Sequence, residues 1–294
     1  MPSLSFTAPT TVEEAISALA RTPGLAKPLA GGTDLLVQMR SGRMRPEVIV
    51  DLKRIPDLIG IRETGDSFVI GAATPGVMLS EHETFSHAWP GIVEGVDLIG
   101  SQQIQGRASL VGNLCNASPA ADSVPAMICA RTVAVIAGPD GRREAPVEAI
   151  VTGPGQTSLK KGEFIVEFRV PKPKPRQSDA YLRFIPRTEM DIAVVGCGVN
   201  VTLDATGLCT DARVVLGAVA PTQLIVDEAA NALKGHRLDD DTLSRLDTAA
   251  QRACKPINDK RGTIEYRTKV AGVLARRAAA IAFERAAGRV AGVH

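Results

Sequence analysis

The sequence predicts an α+β chain, in which a small alternating unit precedes a hairpin-containing unit and a final unit of strands followed by helices. Three observations carry this prediction. Strand and helix patterns alternate up to about residue 52, short strands around turns follow, and long helical patterns dominate the C-terminal third. Alternation is typical of a compact α/β unit, and the change of period marks a different architecture beyond it.

The N-terminal elements follow from local signals. Thr11 and Glu14 form the pattern of a capping box at the start of a helix. Residues 26–30 are typical of a strand that runs into two glycines, and Thr33 is predicted to cap the helix that follows. Residues 48–52 complete the unit as a second strand.

The remaining elements are predicted from periodicity and turn residues. Beyond residue 58, strands are expected at 59–62, 67–70, 132–137 and 164–170, with a helical region at 77–96 and no sustained period at 100–119. The Lys-Pro-Lys-Pro-Arg stretch at 172–176 is the best domain boundary. After it, strands are expected at 181–184, 192–203 and 212–216, and helices at 225–233, 238–252 and 261–287.

Composition narrows the class of protein. The chain has 34 basic and 32 acidic residues and only 3% aromatic residues, which does not support a nucleic-acid-binding surface. No apolar run approaches the roughly 20 residues that cross a bilayer. The first ten residues show no secretory signal, and five cysteines without a Cys-x-x-Cys pair are typical of reduced thiols, so we expect a cytoplasmic protein without a metal site of its own.

Two stretches have the residues of a ligand-binding site. In 29–36, Leu-Ala-Gly-Gly-Thr-Asp-Leu-Leu, glycines allow backbone N–H groups to approach an anion at the start of a helix. In 112–122, small residues are interleaved with Asn113, Ser118 and Asp122, which offer hydrogen bonds to a nucleotide. Taken separately, the first is also an ordinary strand-to-helix connection and the second an ordinary ordered loop.

Together, the two stretches resemble the FAD-binding medium subunits of the molybdenum hydroxylases, the family that includes xanthine dehydrogenase and carbon monoxide dehydrogenase. That family has an Ala-Gly-Gly turn and, later, a Thr-Ile-Gly-Gly-Asn motif that continues into Asn-Ala-Ser-Pro-x-x-Asp. Residues 187–193, Arg-Thr-Glu-Met-Asp-Ile-Ala, are similar to a third family segment. Residues 261–267 are similar to a fourth, with Thr263 at the family's serine. The resemblance spans nearly the whole chain.

The resemblance implies where FAD binds. A PCMH-type FAD-binding domain would occupy residues 1–175, with FAD held between subdomains at about 1–54 and 55–175, and a C-terminal domain would occupy 176–294. The pyrophosphate would lie against both glycine-containing stretches, Ser118 and Asp122 would contact the nucleotide portion, Ile165 would pack on the cofactor and Arg183 would approach it. The implied cofactor-binding residues are Leu29, Ala30, Gly31, Gly32, Thr33, Asp34, Leu35, Ser109, Val111, Gly112, Asn113, Ser118, Asp122, Ile165 and Arg183.

One position departs from the family pattern. Val111 stands where the family has a glycine. If that position needs a positive φ angle, valine would be strained, and if it only allows close approach, the side chain would displace the flavin slightly. We expect the fold to survive with altered FAD affinity or geometry. Arg187, Glu189 and Asp191 would either shape the electrostatics of the flavin or belong to a plain surface loop.

The resemblance also implies an oxidoreductase subunit that transfers electrons. A small subunit with [2Fe-2S] clusters would deliver electrons to FAD, a large molybdopterin subunit would hydroxylate the substrate, and the complex would be a dimer of heterotrimers. We therefore expect no catalytic acid–base pair and no metal ligand in this chain. Two alternatives are a non-catalytic scaffold with a flavin-type fold and a stand-alone FAD oxidoreductase.

Overall fold

The N-terminal unit is a small parallel sheet flanked by helices. The chain, seen here in a computed structural model, is described at residues 4–187 and 190–288. The unit contains strands β1 (Ser5–Thr7), β2 (Ala26–Leu29) and β3 (Val48–Asp51) and helices α1 (Val12–Arg21) and α2 (Leu35–Arg40). The strands are parallel in the order β1-β3-β2. The predicted N-cap is confirmed, because Thr11 Oγ1 accepts the N–H of Glu14 at 3.2 Å, but the Glu14 carboxylate accepts the N–H of Thr10 at 2.8 Å instead of that of Thr11.

The middle unit is an antiparallel sheet with short helices. Its strands are β4 (Ile61–Glu63), β5 (Ser67–Gly71), β6 (Val133–Gly138), β7 (Gly141–Pro146), β8 (Val151–Gly153), β9 (Gln156–Thr157) and β10 (Phe164–Pro171). Five of them form one sheet in the order β4-β5-β10-β6-β7, and β8 pairs with β9. The helices are α3 (Gly76–Glu81), α4 (Glu83–Ala88), α5 (Pro90–Asp97), α6 (Gln102–Gln105), α7 (Leu110–Cys115) and α8 (Ser123–Cys129). The predicted hairpin at β4 and β5 is confirmed.

Two stretches of this unit consist of several short helices. The helical region expected at 77–96 is three helices, since His82 caps α4 and Pro90, which has no N–H to continue a helix, begins α5. The stretch 100–119, expected to have no period, contains α6 and α7. These helices have 4 and 6 residues, too few to show a helical repeat in a sequence.

The C-terminal unit is an antiparallel sheet covered by helices. Its strands are β11 (Gln177–Phe184), β12 (Val195–Leu203), β13 (Cys209–Gly217) and β14 (Leu224–Ile225), paired in that order. The helices are α9 (Asp227–Leu233), α10 (Asp240–Ala253) and α11 (Ile264–Ala286). The strand predicted from residue 192 begins at Val195. Helix α11 approaches the sheet closely because its buried face consists largely of alanines.

Apolar packing joins the N-terminal unit to the middle unit. The buried face of α1, with Val12, Ala15 and Leu19, shares a cluster with Val135 and Phe164 of the five-stranded sheet. This packing fixes the small sheet beside the large one and leaves a cleft between them. In the described part of the chain, no helix is both long enough and apolar enough to cross a membrane.

A buried carboxylate lies where the middle unit meets the C-terminal sheet. Asp179 on β11 is 1% exposed, and its Oδ1 accepts the N–H of Gly91 at 2.9 Å. Its Oδ2 has no hydrogen-bond partner among the described residues. Glu94 accepts the N–H of Tyr181 at 2.7 Å and pairs with Arg285, which donates to the carbonyl of Asp179. Burial raises the pKa of Asp179 to about 7, and the nearby charge of Glu94 adds to the rise.

This carboxylate predicts a pH-dependent effect of Asp179→Asn on stability. The pKa of Asp179 is about 7 in the folded state and lies above the ordinary 3.8. Ionisation of Asp179 therefore lowers the stability of the fold progressively as the pH rises from 3.8 through 7. The free energy of unfolding of Asp179→Asn, relative to that of the wild type, should therefore increase by on the order of 2 kcal/mol between pH 5 and pH 8. Urea unfolding at both pH values measures it. Asp204→Asn, in an exposed turn, is the control and should show no such growth, and an equally flat result for Asp179→Asn would contradict the prediction.

Candidate cofactor-binding cleft

A cleft of about 460 Å³ lies between the N-terminal unit and the middle unit. This volume falls within the range of small-molecule sites. One wall is β2, the turn after it and the start of α2. The other wall is α7 with the residues before it, and the segment 155–165 closes one side. The structure therefore brings together two stretches that are about 80 residues apart in sequence.

The turn after β2 forms the first wall. Gly32 has a φ of +81°, in the left-handed region that favours glycine, and a Cβ there would lie 2.9 Å from the Leu29 side chain. Helix α2 begins after Asp34, which occupies the N-cap position without a side-chain capping bond. The prediction that Thr33 caps this helix is therefore wrong. Lys53 Nζ donates to the carbonyl of Ala30 at 2.9 Å and fixes the end of the strand.

The first wall presents backbone donors. Within the described part of the chain, the N–H groups of residues 31–35 donate no hydrogen bond to protein atoms, whereas that of Leu36 bonds to the carbonyl of Gly32 at 3.0 Å. All five of these residues line the cleft. Unpaired N–H groups need a partner from solvent or from a ligand, and acceptors with negative charge suit them best.

The second wall is the N-terminal half of α7. Ser109 caps this helix, and its Oγ accepts the N–H of Gly112 at 3.0 Å. The N–H groups of residues 110 and 111 have no acceptor among the described residues. Asn113 Oδ1 accepts a hydrogen bond from Ser123 Oγ at 2.8 Å, which ties this wall to α8. Ser109, Gly112 and Asn113 all line the cleft, and their contact with a cofactor stays a prediction.

Val111 adopts helical backbone geometry. It is the second residue of α7 and is not among the residues with positive φ. The strain that a glycine-specific backbone would have imposed on valine is therefore absent. Its side chain is 7% exposed and lines the cleft. The alternative expectation, a small displacement of the bound cofactor by the valine side chain, stays a prediction.

The two walls touch each other directly. A Cβ on Gly31 would collide with the carbonyl oxygen of Arg107 and would lie 3.0 Å from Cα of Ala108. Farther along the helices, Gln38 Nε2 donates to Asn116 Oδ1 at 2.7 Å. The role of Gly31 is thus close backbone packing between the two units.

Sequence reasoning missed the positive charges of the cleft. Lys27, Lys160 and Lys161 line it. The acidic Glu163 lies beside them but is engaged by Arg143 through bonds of 2.8 and 2.9 Å, which lower its pKa. Lys160 and Lys161 are adjacent in the sequence, but no local pattern placed them near the glycines.

Asp34 is the other acidic residue of the lining. Asp34 lies at the edge of the cleft and is partly accessible to solvent. The atoms that surround its carboxyl group still desolvate it and raise its pKa. It makes no capping bond and no ion pair among the described residues. With Glu163 neutralised by its arginine, the lining has a net positive charge.

Three implied site residues lie outside this lining. Ser118 Oγ accepts the N–H of Ala120 at 3.2 Å and shapes a turn. Asp122 accepts hydrogen bonds from Tyr181 Oη and Arg183 Nη1, both at 2.9 Å. Burial raises the pKa of Asp122 to about 6, and the guanidinium opposes the rise. Cofactor contacts by Ser118, Asp122 and Arg183 stay predictions.

The remaining implied residues divide between the cleft and the loop after β11. Ile165 lines the cleft, as do Leu29, Ala30 and Leu35. Arg187 Nε pairs with Asp191 Oδ2 at 3.0 Å, and Asp191 also accepts the N–H of Ile192. Glu189 and its neighbour Thr188 lie outside the described residues.

Comparisons with known proteins define the class of this chain. Residues 2–173 match the family described as the FAD binding domain in molybdopterin dehydrogenase, and residues 180–282 match the CO dehydrogenase flavoprotein C-terminal domain. The chain is therefore a flavoprotein component of an oxidoreductase. It belongs to the family of FAD-binding medium subunits of molybdenum hydroxylases, which confirms the resemblance.

Individual relatives are similar along almost their whole length. The chain is 34% identical to the carbon monoxide dehydrogenase medium chain of Afipia carboxidovorans, over 94% of this chain and 95% of the relative. It is 30% identical to the xanthine dehydrogenase FAD-binding subunit of Escherichia coli O157:H7, over 95% and 96%. A solved carbon monoxide dehydrogenase from Hydrogenophaga pseudoflava, which lacks the Mo-pyranopterin moiety, matches with a TM-score of 0.92 and 33% identity, over 97% and 99%. The predicted fold class is confirmed.

Proposed function

We propose that this chain carries FAD in a heterotrimeric molybdenum hydroxylase. In this proposal it accepts electrons from the [2Fe-2S] clusters of a small subunit and passes them to an external acceptor. A large molybdopterin subunit hydroxylates the substrate, and two heterotrimers assemble into a dimer in the cytoplasm. The names of the relatives support this role, because they describe a medium chain and a FAD-binding subunit.

The observation that carries the proposal is the set of donors on facing walls of one cleft. The free N–H groups of 31–35 and of Val111 and the ammonium groups of Lys27, Lys160 and Lys161 suit the two negative charges of a pyrophosphate. The apolar side chains of Leu29 and Ile165 suit a flat ring system. The residues present therefore fit FAD.

The chain's own residues bind and orient the cofactor in this proposal. FAD, when bound, supplies the redox chemistry, and the protein contributes position and electrostatics. The two glycine-containing stretches would hold the pyrophosphate from both sides. The lysines would add favourable charge, and the apolar lining would exclude water from the ring. Among the described lining residues, Glu163 forms an ion pair with Arg143, so it is not available as a proton donor.

The test is purification of a tagged chain from its native host under mild conditions. We expect a flavin absorption spectrum, a small iron–sulfur chain and a large molybdopterin chain in the same preparation, with a particle mass that corresponds to two copies of each. A colourless chain without these partners, which stays colourless after incubation with FAD, would overturn the proposal. A yellow chain that purifies alone in every condition would favour a stand-alone flavoprotein.

A further inference from the structure

Two contacts join the walls of the cleft at different points along the two helices. At the beginning of the helices, Gly31 packs against the carbonyl of Arg107. One turn into α2, Gln38 Nε2 donates to Asn116 Oδ1 at 2.7 Å across 78 residues of chain. Asn116 directly follows the last residue of α7. The hydrogen bond is thus the second point at which the walls are held together.

Both side chains extend from backbone that is rigidly connected to a glycine-containing stretch. The N–H of Gln38 donates to the carbonyl of Asp34 at 2.9 Å, within the turn that begins α2. The N–H of Asn116 donates to the carbonyl of Gly112, also at 2.9 Å. A change in the Gln38–Asn116 distance therefore changes the relative position of the two sets of N–H donors.

One contact fixes a separation, whereas two contacts also fix an angle. With the Gly31–Arg107 contact alone, α2 would be held against α7 at one end only, and its other end could shift as far as the packing of α1 on the large sheet allows. A small anionic group bound from both walls needs both sets of donors in place at once, and affinity rises when they are arranged beforehand. The hydrogen bond between the amides supplies this arrangement.

We propose that the Gln38–Asn116 hydrogen bond is a positioning contact that sets the width of the cleft and thereby controls how tightly the chain holds FAD. The inference rests on the proposed function, since FAD is the ligand considered. The two amides act through the backbone donors of the walls. Both side chains also line the cleft, so an independent contact of each with FAD is the competing explanation.

A double-mutant cycle separates the two explanations. Gln38→Leu and Asn116→Leu each remove the same bond, so each should weaken FAD binding by about fivefold, and the double variant should be no weaker than either single variant. The exchanged pair, Gln38→Asn with Asn116→Gln, keeps the summed length of the side chains and should restore wild-type affinity. If each side chain instead contacted FAD independently, the affinity losses of the two single variants would multiply in the double variant, and the exchanged pair would not restore wild-type affinity.

The measurements are FAD affinity by quenching of flavin fluorescence, the FAD dissociation rate, and the melting temperature of the full chain without FAD. Gln102→Leu, an exposed amide on α6, is the control and should leave affinity unchanged. Three outcomes would overturn the inference alone: affinity losses that multiply in the double variant, single variants with wild-type affinity, or an exchanged pair that does not restore affinity. A wild-type chain that does not bind FAD would overturn the proposed function and this inference with it.

Discussion

Gly31→Ala is expected to reduce FAD affinity on the order of 100-fold. The added Cβ would collide with the carbonyl oxygen of Arg107, which is backbone and has no rotamer to change. The two walls must therefore move apart, and the N–H donors on them no longer reach one ligand together. Fluorescence titration of the purified chain with FAD measures the loss.

A matched glycine in the same contact region provides the control. A Cβ on Gly106 would have no neighbour closer than 3.5 Å, the carbonyl oxygen of Gln103, and this glycine has an ordinary helical φ of −63°. Gly106→Ala should leave FAD affinity within about twofold of wild type, because 3.5 Å is an ordinary contact distance. Unfolding curves show whether Gly31→Ala still folds. Equal affinities for the two folded variants would contradict the close-packing role of Gly31.

The parts of the site that were predictable from sequence depend on neighbours in the chain. The N-cap at Thr11 and the β4–β5 hairpin follow from signals within a few residues, and both are present. The glycine pair at 31–32 was predictable for the same reason, since a strand, a turn and a helix start are contiguous there. Short-range chemistry of this kind does not depend on the rest of the fold.

The parts that were not predictable depend on strand order and on distant partners. Lys160 and Lys161 reach the cleft because β10, which follows them, pairs between β5 and β6 and carries the preceding loop toward the glycine turn. The Gln38–Asn116 bond likewise joins residues whose meeting is decided by the packing of two sheets. Gln38 has no local signal that distinguishes it from a surface residue, and the motif that contains Asn116 does not indicate which residue it contacts.

Arg183 illustrates the limit of carrying a residue over from a family pattern. The resemblance implies that it approaches the cofactor, whereas in the structure it is 4% exposed and pairs with Asp122. Its Nη1 also donates to the carbonyl of Leu98 at 2.8 Å, next to the cleft residue Ile99. These contacts join β11 to the middle unit, and a direct contact of Arg183 with FAD stays a prediction.

Arg183→Met should lower the free energy of unfolding by about 3–5 kcal/mol at pH 8, because among the described residues it leaves Tyr181 as the one partner of the buried Asp122 carboxylate. The pH dependence has a definite sign. Burial already raises the pKa of Asp122 to about 6, and loss of the opposing guanidinium raises it further. The cost of ionising Asp122 then continues to grow above pH 6, so the variant should lose more stability at pH 8 than at pH 5.5.

Two further variants separate a structural role of Arg183 from a cofactor contact. Adding Asp122→Asn to Arg183→Met removes the unpaired charge and should recover part of the stability at pH 8. Arg131→Met breaks an exposed ion pair with Asp211 and should cost at most about 1 kcal/mol. If Arg183→Met loses stability while the folded fraction binds FAD with wild-type affinity, the residue acts by joining the units. If stability is unchanged and FAD affinity falls, Arg183 contacts the cofactor as the family pattern implies, and the buried pair contributes little to folding.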